Sequence, residues 1–126
     1  MGIGGFFFRA KDPQRLAGWY AEHLGIAAMD QLGNGGVWQQ EAGPTVFSPF
    51  AEDTSYFGRR EQGAMLNFRV ADLDAMLAQL RAGDVDVDDK VELLEGIGRF
   101  GWATDPEGNR FELWEPAVSD DRPLAG

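Results

Sequence analysis

Cysteine is absent from this chain, which excludes disulfides, thiolate zinc sites and cysteine nucleophiles together. A reducing cytosol suits such a sequence. Basic residues are scarce: eleven Lys and Arg stand against 21 Asp and Glu, for a net charge of −10. Nucleic acid is excluded as a partner, because neutralising phosphates takes clustered cations and these are scattered. The acidic surface gives solubility and would also favour a cationic ligand, and charge alone does not choose between the two. No apolar run approaches the roughly 20 residues of a membrane span, so no membrane partner is expected. The opening Met1-Gly2-Ile3-Gly4-Gly5 has no basic region, and Phe6-Phe7-Phe8 is too short for the apolar core of a signal peptide. The sequence therefore predicts a soluble, cytoplasmic protein.

What is present amounts to one domain: 126 residues, 44% hydrophobic and 12% aromatic, enough for a core of its own. Residues 3–10 are apolar and rich in Phe, the mark of a first strand, and Asp12-Pro13 supplies an N-cap with proline at the first helical position. The helix carries Leu16, Tyr20 and Leu24 at helical spacing with Trp19 and His23 beside them, and Gly25 fits its C-terminal cap. His23 is the sole histidine. It reads as a surface or helix-end residue, which leaves no histidine for general-base work. Three short strands are expected next, around residues 27–32, 36–40 and 45–48, with turns at Gly33-Asn34-Gly35-Gly36 and Ala42-Gly43-Pro44. The stretch from about 49 to 63 has no sustained period and reads as a connector anchored by Tyr56 and Phe57.

After the connector the pattern begins again. Phe8, Arg9 and Asp12 recur as Phe68, Arg69 and Asp72, each 60 positions on, and an internal duplication is the economical explanation. A second helix starts at Asp72, carries Leu73, Met76, Leu77 and Leu80 on one stripe, and stops at Gly83. Strands are expected near 85–87, 91–94 and 98–104, the last running into a hairpin. Asp105-Pro106-Glu107-Gly108-Asn109 is dense turn chemistry, and Arg110 to Glu115 then alternates, with Arg110, Glu112 and Trp114 on one face and Phe111 and Leu113 on the other. In the first strand of each half the same alternation sets Gly5, Phe7 and Arg9 against Phe6, Phe8 and Ala10, and Met65, Asn67 and Arg69 against Leu66, Phe68 and Val70.

The run from Asp105 to Leu113, Asp-Pro-x-Gly-Asn-x-x-Glu-Leu, resembles the closing motif of the vicinal oxygen chelate superfamily, the group of glyoxalase I, bleomycin-resistance proteins and extradiol dioxygenases. The repeated halves resemble it too, so the likeness spans most of the chain. It implies an α+β fold of two tandem βαβββ modules forming a curled, mostly antiparallel sheet around a cavity, with helices outside. Module one would span about 3–50, the connector about 49–63 and module two about 64–116, with a polar tail at 117–126, all in a single domain. In that family the glutamate matching Glu112 is a metal ligand, and a further ligand stands seven residues before the helix-starting Asp of each module. Those places hold Gly5 and Met65 here. Neither offers a nitrogen or carboxylate to a divalent ion, and around Thr45 to Ser48 no carboxylate is present either. No metal and no other cofactor is therefore expected.

The proposed inner face carries Phe7, Arg9, Asn67, Arg69, Arg110, Glu112 and Trp114, with Trp38, Phe47 and Trp102 contributed by neighbouring strands. Aromatic faces around a few polar groups are the usual form of a small-molecule site. The leading reading is a metal-free relative of bleomycin-resistance proteins that binds a small apolar or aromatic molecule. The alternative is a lyase, isomerase or dioxygenase of the same superfamily with Glu112 as acid, base or metal ligand. The resemblance also implies a homodimer, since many members pair through sheet edges or build each cavity from two chains.

Overall fold

The computed structural model describes residues 1–27 and 37–118. The chain divides into two compact units, Met1–Thr45 and Val46–Gly126. In the first, α1 (Pro13–Leu24) forms where the capping residues dictate: the Asp12 carboxylate accepts from the Arg15 amide at 3.2 Å, and Gly25 turns left-handed at φ 69°. Its buried stripe is Leu16 and Tyr20. His23 lies in the last turn with its ring 4.8 Å from that of Trp19, a helix-end position as expected.

The strands expected in this half do not form among the described residues. Residues 3–10, 37–40 and 45–48 are irregular, and most of 27–32 lies outside the described residues. The sequence does bias 6–8 toward extended chain, since Phe6 and Phe8 meet on one side at 5.5 Å. A strand is held by a paired neighbour, however, and flanking Gly2, Gly4 and Gly5 weaken it further.

The second unit matches its expectation closely. In order it contains β1 (Asn67–Arg69), α2 (Leu73–Ala82), β2 (Asp86–Val87), β3 (Glu92–Leu94), β4 (Gly98–Thr104) and β5 (Arg110–Pro116). They make an open five-stranded sheet ordered β1-β5-β4-β2, with β3 also paired to β4, which establishes the mixed α+β class. β1 runs parallel to β5 with Asn67 opposite Glu112, and β4 runs antiparallel to it with Trp102 opposite Glu112. One carboxylate is thus flanked from both sides.

The Asp105–Asn109 turn sets that register. Asp105 is buried, and its carboxylate accepts from the amides of Glu107 (2.9 Å) and Asn109 (3.0 Å) and from the Asn109 side chain (2.8 Å). Gly108 takes φ 85°, which closes the turn at little steric cost. The motif that carries the family likeness is therefore a turn-building device. At the other end of the hairpin, a Cβ on Gly98 would lie 2.2 Å from the Glu115 carbonyl oxygen, so the two strands approach as only glycine allows.

One face of the sheet receives α2. Leu73, Leu77 and Leu80 are buried, the Leu77 methyls sit 3.2 Å from where a Cβ of Gly101 would be, and Phe68 meets Phe111 edge to face at 5.7 Å. The helix start is tied to the sheet by Glu115, which accepts from the Leu73 amide at 2.8 Å. The opposite face carries Asn67, Trp102, Glu112 and Trp114.

Asp105→Ala strips two backbone amides and one side-chain amide of their acceptor in a buried turn. It should lower unfolding free energy by about 1–3 kcal/mol in urea melts. An unchanged midpoint would mean the turn does not set the hairpin.

Candidate functional site

Three segments converge on Glu112. Glu112 is buried, at 7% exposure. Asn67 Nδ2 donates to Oε1 at 2.7 Å, while Trp102 Nε1 (3.1 Å) and the Tyr56 hydroxyl both donate to Oε2. Every partner donates to it, so both oxygens serve as acceptors. Asn67 and Trp102 arrive through strand register, and Tyr56 arrives from the connector. Burial, followed by the Glu112 hydrogen bond and charge, pushes the Tyr56 phenol well above its ordinary value.

The connector is fastened to β5 by side chains. Gln62 accepts from the Arg110 amide at 2.9 Å and donates to the Arg110 carbonyl at 2.7 Å, completing the strand edge just where β1 has not yet begun. The Arg110 guanidinium lies 5.3 Å above the Trp102 ring, donates to the Tyr56 carbonyl at 3.2 Å and pairs with Asp88 at 3.2 Å. Burial opposes ionisation of Asp88, but bonds from the Lys90 amide and Arg110 prevail and hold its carboxyl below the usual range. Aromatic rings extend this cluster: Tyr56 meets Trp102 edge to face at 6.1 Å and stacks on Phe50 at 5.4 Å. Trp114 stacks on Phe100 at 6.1 Å and donates to the Ile97 carbonyl at 2.9 Å.

Of the residues singled out from sequence, Asn67, Trp102, Arg110, Glu112 and Trp114 come together here, and Arg69 stands in register opposite Trp114. Phe47 is 83% exposed in irregular chain. Phe7, Arg9 and Trp38 belong to the other compact unit, where all are exposed. Sequence reasoning missed Tyr56 as a partner of Glu112, along with Gln62 and Asp88. Their contacts bridge long sequence separations from aperiodic chain, so no local pattern marks them.

A divalent metal does not fit this donor set. Both Glu112 oxygens already accept from protein groups, two of them N–H donors that cannot ligate in that state. Among the described residues no group of three or more His, Cys, Asp or Glu could hold an ion.

A family model described as a glyoxalase-like domain matches residues 5–114. The fold is similar to TnmS3, an antibiotic binding protein from Streptomyces sp. CB03234, with TM-score 0.59 and 22% identity over 93% of this chain and 97% of that one. It is also similar to a member of the glyoxalase/bleomycin resistance protein/dioxygenase superfamily from Sphaerobacter thermophilus DSM 20745, with TM-score 0.52 and 19% identity over 84% and 90% of the two chains. None of the curated proteins matches the sequence.

Asn67→Asp would set a second carboxylate beside Glu112 and remove a donor. One member of such a pair takes a raised pKa in the folded protein, so the fold gains a proton relative to the unfolded chain and stability falls as pH rises. Urea melts should show a penalty of at least about 2 kcal/mol at pH 7 that shrinks toward pH 4.5. A pH-independent penalty would contradict the short Asn67–Glu112 contact.

Proposed function

Because the chain belongs to the glyoxalase-like domain family, matched over residues 5–114, we propose that it is a metal-free, bleomycin-resistance-like protein that binds a small apolar or aromatic molecule. The ligand lies on the sheet face around Glu112. One observation carries this reading: the buried carboxylate has both oxygens occupied by protein donors, and aromatic rings surround it. An acid or base must exchange its proton with the substrate, and here protein donors compete for both oxygens. Aromatic surface with a few fixed polar groups suffices for recognition. TnmS3, of similar fold, is described as an antibiotic binding protein, which is consistent with sequestration.

The protein acts in the cytoplasm as a homodimer. Ile3, Phe7, Val46 and Phe47 are 58%, 94%, 65% and 83% exposed, an apolar burden that a second copy would cover. Light scattering should give twice the 13.9 kDa of one chain. A monomer at micromolar concentration would count against the dimer.

Thermal melts and tryptophan fluorescence across a panel of aromatic metabolites and antibiotics test the binding reading. A stoichiometric ligand with no turnover is expected, and Glu112→Gln should weaken it severalfold. Turnover of any panel compound that Glu112→Gln nearly abolishes would replace the binder with a lyase or isomerase.

A further inference from the structure

The two features of this face that would draw a cation are both used by the protein itself. Glu112 could pair with a positive ligand, but the Tyr56 hydroxyl and the Trp102 indole share Oε2 and the Asn67 amide takes Oε1. The Trp102 ring could hold a cation over its face, but the Arg110 guanidinium already stands 5.3 Å from its centre. Arg110 in turn is fixed by Asp88 and by the Tyr56 carbonyl. Tyr56 is therefore pinned at both ends: its carbonyl accepts from Arg110 and its hydroxyl donates to Glu112. Its ring also meets Trp102 at 6.1 Å and Phe50 at 5.4 Å.

We propose that Tyr56 is the specificity-determining residue of this site, capping Glu112 so that the ligand selected is an uncharged aromatic molecule and not a cation. The proposal rests on the binding reading above and deepens it. A cationic ligand would have to compete with Tyr56 and Trp102 for Oε2 or with Asn67 for Oε1, and lie beside a resident guanidinium, a repulsive element of the kind that sets specificity. An uncharged ring system meets no such cost. It can pack against the aromatic cluster whose outer member, Phe50, is 48% exposed. The acidic surface of the chain, with its net charge of −10, attracts cations at long range, so the discrimination has to be made by contacts at the site.

Two measurements test this, the first without any ligand. Ring-carbon NMR follows Tyr56 with pH in the wild type and in Glu112→Gln. With Glu112, Arg110 and Glu92 as the charged groups around it, the wild-type phenol should stay protonated well beyond the ordinary value of about 10. Glu112→Gln should bring it down. Titration near the ordinary value in both proteins would overturn the cap. The second compares 2-naphthalenemethanol with 2-naphthylmethylammonium, matched in ring and differing in charge. The wild type should prefer the neutral probe by tenfold or more, and Tyr56→Phe, which keeps the ring and removes the hydroxyl, should shrink that ratio by about tenfold. Preference for the ammonium probe in the wild type, or a ratio that Tyr56→Phe leaves unmoved, would overturn the proposal. Failure of both probes with the cap intact in the titration would remove the binding reading and with it the selectivity, while leaving the Tyr56–Glu112 contact established.

Discussion

A carboxylate taken out of water has to be surrounded by donors, and the arrangement of the Val46–Gly126 unit follows from meeting that demand at Glu112. Burying an unpaired charge costs several kcal/mol, and three hydrogen bonds from the connector, β1 and β4 offset it. The connector, β1 and β4 are separate segments, so a single side chain ties them to β5. Among the described residues no buried side-chain polar atom lacks a partner.

Much of this unit was legible beforehand because local rules agree with one another. Asp72 caps α2 and Gly83 ends it, Asp105 and Gly108 build the turn, and strict alternation places Glu112 and Trp114 away from the helix side and Phe111 and Leu113 toward it. The 60-residue repeat marked β1 correctly through Phe68 and Arg69. It also marked residues 3–10, where no strand forms, because apolar alternation encodes a preference for extended chain and cannot supply the partner that fixes it. α1, whose start and stop signals are local, appeared with the caps expected of it.

The site was legible only where it lies on strands. Asn67, Trp102, Arg110, Glu112 and Trp114 follow from register, whereas Tyr56, Gln62 and Asp88 reach it from chain without periodicity. That omission matters, since Tyr56 changes the meaning of Glu112. Read alone, a mid-strand glutamate in a glyoxalase-like chain is a metal ligand or an acid. Its donors show that it also ties the connector, through Tyr56, to the sheet. A fold that serves many chemistries leaves such distinctions to the contacts of individual side chains.

Metal content is the most direct measure of that distinction. Untagged protein should contain no stoichiometric Mn, Fe, Co, Ni or Zn, and adding each ion separately should leave the thermal melt unmoved, because both Glu112 oxygens already accept from protein donors and among the described residues no group of three or more His, Cys, Asp or Glu could hold an ion. One metal per chain, or a melt raised by several degrees with one ion and not in Glu112→Gln, would show that the carboxylate is a ligand and not an anchor.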